Sequence, residues 1–401
     1  MLYAFSGFAL YSMVFHFIDS MVFFPLLLAA LDGYIYDNKR GRFALMAAVC
    51  GIVNYYFFIA EAVFCFVYWV VRMAAKSYRL PARNAVYLFF EAFVGVGMAT
   101  FILLPSLYHI IGNTRVSGSA MDGLNFWFYD SSAQYAEILL SFFVPPEHPG
   151  IDVYVEDFDS KWKSINAFLP LFGMSGVFAI IFNKRKNKWL RIFYGVCAVM
   201  MLVPVLNSSF QLFRDTVYVR WFFMLLLIMS LGSVMALEDP STKWKKAIGW
   251  NTAITALIIL ILGFTPTTIE KGEREVLHIG LAGATIYFWL YAAVALVNIV
   301  LCVLLVKAYK KNRSVFSRYC ALFTSLAIVF TMASQFITCK IEGEESINVV
   351  KDNLLNYGDN INIDDIQQWR SDVVTTSNYS MIMYDSDHIA SMDYPDLEGP
   401  S

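Results

Sequence analysis

Long apolar runs separated by short clusters of lysine and arginine repeat along the chain. Runs near residues 20–36, 84–107, 166–182, 191–206, 219–237, 247–264, 281–306 and 317–338 have the length expected of membrane-crossing helices. At 1.5 Å per residue, about 20 apolar residues cross a hydrocarbon core of roughly 30 Å. Residues 43–71 form a further continuous apolar stretch, with Lys39, Arg40 and Arg42 before it and Arg72, Lys76, Arg79 and Arg83 after it. Basic flanks favour the cytoplasm. A single crossing strands one cluster on the wrong side, whereas two short helices meeting at Asn54-Tyr55-Tyr56 keep both clusters inside and turn the polar break outward. Each half is then shorter than the hydrocarbon core, which calls for burial among other helices or a thinned bilayer. With residues 1–17 counted as a crossing, the pattern predicts an all-α polytopic membrane protein of about eleven transmembrane helices.

Charge fixes the orientation of the remaining runs. Lys184, Arg185, Lys186, Lys188 and Arg191, then Lys243, Lys245 and Lys246, then Lys307, Lys310, Lys311, Arg313 and Arg318 all fall on the side of the first two clusters, so twenty of the thirty Lys and Arg residues are cytoplasmic. The outer face carries a long loop at 108–165, short loops at 207–218 and 265–280, and an acidic tail from Cys339 to Ser401. Residues 1–338 are therefore expected to form the transmembrane domain, and 339–401 the start of an extracytoplasmic domain. The tail includes a strand-like run, DVVTTSNYSMIMYD. In the long loop, Tyr135, Ile138, Leu139 and Phe142 recur at helical spacing ahead of Pro145-Pro146. That spacing suits a helix lying in the interface or packed on the bundle.

Composition agrees, at 58% hydrophobic, 17% aromatic and only 15% charged residues, outside the range of soluble domains. The net charge of −2 gives no reason to expect a nucleic-acid partner. Five of the six cysteines fall inside apolar runs, so no disulfide framework can be drawn. The amino terminus lacks the features of a signal peptide and looks like a helix from within a larger protein. No Walker loop, dinucleotide-binding glycine pattern or spaced Cys/His zinc site is present.

Chemistry is therefore sought on the outer face. Asp19 lies at the outer start of the run 20–36, where a carboxylate suits a divalent cation, a sugar hydroxyl or an acceptor proton; it equally suits a helix cap. Arg214 and Arg220, around the start of the run 219–237, suit a phosphate through paired charge-assisted hydrogen bonds, or a plain interfacial anchor beside Tyr218 and Trp221. Arg115 offers the same chemistry in the long loop. His16, Asn54 and Tyr55 are expected to line an outer cavity. Glu61 and Glu91 lie inside apolar runs, where an ionisable group faces a cavity or another helix.

The segments YAFSGF at 3–8, FIDSMVFFPLLLAALD at 17–32, IVNYYFFIAEAVFCFVYW at 52–69, LLPSLYHIIGNTR at 103–115 and YVRWFFM at 218–224 resemble, in order and spacing, the bacterial YfhO-like membrane proteins. Those have the GT-C architecture of lipid-carrier-dependent glycosyltransferases. The resemblance implies a membrane enzyme that transfers a sugar from a polyprenyl-phosphate carrier to a cell-envelope acceptor, such as a teichoic acid or a glycolipid, on the extracytoplasmic face of the bacterial cytoplasmic membrane. It gives Asp19 a catalytic position and Arg220 a carrier-phosphate position, and leaves open whether a divalent cation takes part. Against the family pattern, the first helices and first outer loop are missing ahead of Met1 and most of the exported domain is missing after Ser401, so the chain is expected to be a fragment that does not catalyse alone. A transporter or flippase for lipid or polysaccharide, and a non-catalytic scaffold for envelope assembly, are the competing classes.

Overall fold

The computed structural model describes residues 1–14, 17–111, 126–148, 151–155, 163–183, 187–213, 217–271, 274–283, 285–311, 316–351, 381–384 and 389–392. The elements are helices α1 (Gly7–Tyr11), α2 (Ile18–Asp37), α3 (Arg42–Val53), α4 (Tyr55–Ala74), α5 (Ala82–Ile111), α6 (Ser132–Leu140), α7 (Ser175–Phe182), α8 (Lys188–Leu202), α9 (Pro204–Ser208), α10 (Phe222–Glu238) and α11 (Trp244–Phe264), the hairpin β1 (Pro266–Lys271) and β2 (Arg274–Ile279), then α12 (Thr285–Lys311) and α13 (Phe316–Lys351), and the antiparallel pair β3 (Met381–Tyr384) and β4 (Ile389–Met392). The chain divides into two compact units, 1–335 and 336–401. The functional features described below all lie in the first.

Asn54 divides the stretch 43–71 as the flanking charges predict. Its backbone is extended (φ −152°, ψ 97°) and its side chain accepts from the Phe57 amide at 3.3 Å, capping α4 while α3 ends. The halves are unequal. Helix α4 has 20 residues and reaches the full hydrocarbon thickness, contrary to the expectation of two short helices, whereas α3 has 12 and spans about 18 Å.

Close contacts fix the directions of the helices. A Cβ on Gly95 of α5 would lie 2.6 Å from the Ala44 carbonyl and 2.7 Å from the Ala47 methyl, and one on Gly51 of α3 would meet Ala99 and Leu103. Residue numbers rise together along both helices, so α3 and α5 run parallel, joined through small residues that let the backbones approach. Helices α2 and α4 are also parallel: Asp19 meets Asn54, Phe24 packs on Phe64 at 5.4 Å, and Asp32 meets Tyr68. The basic loops thus gather at one end of these helices and the Asp19–Asn54 contact at the other.

Among the described residues, six helices are long and apolar enough to cross a membrane: α2, α4, α5, α11, α12 and α13. Taking α8 with the segment 204–211 adds a seventh, bent by 102°. The expected eleven is not reached on that criterion, for local reasons. Helix α1 has five residues, and α3 and α10, though apolar, are short. The run 166–182 is helical only from Ser175. Its first half is an irregular segment with positive φ at Leu171 and Gly173, held by Asn298 of α12, whose Oδ1 accepts from the Leu171 amide at 2.6 Å. Helix α6 packs on the bundle, one of the two arrangements its spacing allows, burying Gln134, Glu137, Ile138 and Leu140 and leaving Leu139 exposed. All six cysteines are free thiols.

Candidate functional site

At the end of the bundle opposite the basic loops, the first turns of α2, α4 and α10 converge. Asp19 sits in the first turn of α2, where backbone N–H groups have no intrahelical partner. Its Oδ1 accepts from the Ser20 amide at 2.7 Å, and Asn54 Nδ2 donates to both carboxylate oxygens at 3.3 Å. The Asn54 side chain therefore caps α4 with its oxygen and holds Asp19 with its nitrogen. Asp19 is not the cap of α2, which begins after Phe17 without a side-chain cap; it sits in the first turn, and a half-buried carboxylate held by Ser20 and Asn54 keeps acceptor capacity toward the open side.

Arg220 lies two residues ahead of α10. Its NH1 donates to the Tyr56 hydroxyl at 2.9 Å, and its guanidinium lies 4.1 Å from the centre of the Tyr218 ring, 5.1 Å from that of Phe17 and 5.5 Å from that of Tyr56. Phe17 is two residues from Asp19, and Tyr56 two from Asn54. The guanidinium thus shares one rim with the carboxylate, and Tyr55, exposed at the start of α4, stands beside it.

The loop carrying Arg220 is braced throughout. Trp221 Nε1 donates to Asn207 Oδ1 at 2.8 Å, Asn207 Nδ2 donates to the Tyr218 carbonyl at 2.9 Å, and Phe210 stacks on Trp221 at 4.4 Å. The long loop grips the same segment from another side, since Gln134 Nε2 donates to the Val217 carbonyl at 2.8 Å and the Val219 amide to the Lys163 carbonyl at 3.0 Å.

Glu61 is not on this rim. It lies seven residues beyond Asn54 along α4, about 10 Å deeper and only 1% exposed. Glu91 lies at the basic end, where its Oε1 accepts from the Gly41 amide at 2.9 Å ahead of α3. His16, Arg115 and Arg214 lie outside the described residues.

Two clusters escaped the sequence reading. In the long loop, buried Glu137 has its carboxyl pushed well above the ordinary glutamate range, by burial first and then by Glu147 and Asp152, with Lys163 opposing. Glu147 itself accepts from the amides of Val153 at 2.8 Å and Tyr154 at 2.6 Å. At the basic end, Arg72 is buried among Tyr36, Tyr68, Tyr78 and Trp189, and Asp32 accepts from the hydroxyls of Tyr68 and Tyr78. Among the described residues, no three His, Cys, Asp or Glu side chains converge as a metal site would require.

These features define an α-helical polytopic membrane protein with a polar rim at one end and a basic opposite end. The chain matches the model of the family described as bacterial membrane protein YfhO over residues 1–369, and it belongs to that family. No curated protein and no solved structure matches it.

Proposed function

We propose that the protein is a glycosyltransferase that takes a sugar from a polyprenyl-phosphate carrier and transfers it to a cell-envelope acceptor outside the cytoplasmic membrane. The observation that supports this best is the convergence of Asp19, Asn54 and Arg220 on one rim, at the end away from the basic loops. In such a transfer an acceptor hydroxyl oxygen bonds to the anomeric carbon while the bond from that carbon to the carrier phosphate breaks. The hydroxyl proton passes to a carboxylate, the role given to Asp19. The released carrier phosphate gains negative charge, which a bidentate guanidinium accommodates, the role given to Arg220. Asn54 positions Asp19, and the aromatic side chains of Phe17, Tyr56 and Tyr218 limit water around the guanidinium.

The test is transfer from polyprenyl-phosphate sugar in proteoliposomes, using the full-length gene product. Asp19→Asn keeps shape and most hydrogen bonding, so folded yield is expected to hold while turnover falls about a hundredfold. Turnover at the wild-type rate in Asp19→Asn would assign the residue to joining the first turns of α2 and α4 alone. Sidedness is tested separately. With Cys339 and Cys320 replaced, a cysteine at Asn54 should react with an impermeant thiol reagent in intact cells, and labelling only after permeabilisation rejects an outward-facing rim.

A transporter reading draws on buried Glu61 and on the bent helix at 203–204, features that membrane carriers share. It predicts that the sugar-carrier crosses proteoliposome membranes intact and that Asp19→Asn leaves this movement unchanged.

A further inference from the structure

Helices α2, α3, α4 and α5 enclose a cavity of about 170 Å³ between them, walled by apolar side chains that include Leu31, Phe43, Phe58, Trp69 and Leu88. All four helices belong to the apolar bundle, and the cavity opens laterally past Phe66 and Phe89, each more than half exposed. The medium against this face is the bilayer.

Two arginines from different elements meet at the basic end of the same cavity. The Arg40 guanidinium, in the loop before α3, lies 4.9 Å from the centre of the Tyr87 ring; Arg83 of α5 lies 5.5 Å from it and donates through Nε and NH2 to the Tyr87 hydroxyl at 3.2 Å. Both are exposed. Tyr87 directly precedes Leu88 and Phe89 of the cavity wall, and Phe43 follows Arg40 by three residues, so the basic pair and the apolar slot share their supporting backbone. The neighbouring acids are engaged locally: Asp37 pairs with Lys39, and Glu91 binds the Gly41 amide. Two like charges gathered on one ring call for an anion.

We propose that this is a binding site for an anionic glycerophospholipid of the leaflet at the basic end, with its phosphate between Arg40 and Arg83 and one acyl chain in the cavity. Basic pockets between membrane helices on the cytoplasmic side recognise such headgroups. The lipid-facing side of α5 presents Phe89, Phe90, Phe93 and Phe101 around a single exposed glycine, Gly97, a bulky and uneven surface that favours a flexible chain over close packing by another copy of the protein. The site lies at the opposite end from Asp19, and the proposal does not depend on the sugar-transfer reading.

The experiment is native mass spectrometry of the detergent-purified protein, titrated with phosphatidylglycerol, phosphatidylcholine or polyprenyl phosphate. Phosphatidylglycerol is expected to bind preferentially. Arg40→Gln and Arg83→Gln should each weaken it about fivefold, the order for one basic residue at an anionic membrane surface, and leave phosphatidylcholine unaffected. Arg40→Lys with Arg83→Lys, which controls for folding, should retain most of the preference. Ala62→Trp, which fills the slot without touching the arginines, should weaken both phospholipids. Equal binding of the two phospholipids to the wild type, an undiminished preference in the double glutamine variant, or polyprenyl-phosphate binding that is tighter than that of phosphatidylglycerol and is lost in the double glutamine variant overturns the proposal.

Discussion

Arg72 and Arg220 lie toward opposite ends of the parallel pair α2 and α4, both stacked on aromatic rings, and they differ in what is left open around them. Arg72 is 6% exposed and enclosed: Nε donates to Ser77 Oγ at 2.8 Å, NH1 and NH2 donate to the hydroxyls of Tyr68 and Tyr36, and the Tyr78 and Trp189 rings lie 4.2 Å and 4.1 Å away. Arg220 is half-buried and stands on an open rim beside a carboxylate. Aromatic stacking alone therefore does not separate a structural arginine from a ligand-binding one. Enclosure does, because a guanidinium sealed on all sides pins helices together and has no face to offer a substrate.

The largest expected effect tests the sealed end. Arg72→Ala removes three hydrogen bonds, strips the buried Tyr68 hydroxyl of its cationic donor and opens a cavity among Tyr68, Tyr78 and Trp189, so it should cost about 3 kcal/mol or more in thermal or denaturant unfolding in detergent. Sugar transfer per folded molecule should stay within about twofold of wild type. A variant that folds normally but binds carrier poorly would erase the distinction between the two ends.

At the open end the expected change is kinetic. Arg220→Lys keeps the charge but loses the planar fork, and should raise the carrier concentration needed for half-maximal transfer about tenfold, near 1.4 kcal/mol. Folded yield should be unchanged. Unaltered carrier dependence would move Arg220 into the same class as Arg72.

The smallest effect concerns Glu137, which is buried like Arg72 yet belongs to the loop that grips the Arg220 segment. Because its folded pKa is raised, the protonated carboxyl contributes stability that is fully present below the ordinary glutamate value and is lost as pH climbs through the raised one. The apparent melting temperature of the wild type should thus decline as pH rises above the ordinary glutamate value of about 4.3, and Glu137→Gln should flatten that decline by a few degrees. Parallel curves for the two proteins would show that Glu137 is ionised in the fold.

The sequence made the rim largely legible because its residues break a local rule. Asn54 interrupts an apolar stretch whose flanks both demand the cytoplasm, Asp19 opens an apolar run, and Arg220 sits where a helix enters the membrane. Each is a polar residue at a boundary, visible in one dimension. Arg72 was hidden among basic flank residues, and only the packing of Tyr36, Tyr78 and Trp189 around it reveals that it is buried. Glu137 was hidden because the apolar spacing of Tyr135, Ile138, Leu139 and Phe142 draws attention to one face of α6, whereas the fold buries Gln134 and Glu137 along with Ile138 and leaves Leu139 exposed. The extent of the helix in 166–182 escaped for a related reason. Hydropathy marks what is buried, and an irregular segment held by Asn298 is as apolar as a helix.

The inequality of α3 and α5 bears on access to the rim. Gly51, near the end of α3, lies level with Ala99 and Leu103, and α5 continues to Ile111, two turns or about 12 Å further. Asn54 lies three residues beyond Gly51, so α5 rises about 7 Å above the Asp19–Asn54 contact on that side. On the sugar-transfer proposal an acceptor approaching from there must reach past this edge, which a slender chain end does more readily than a folded globule.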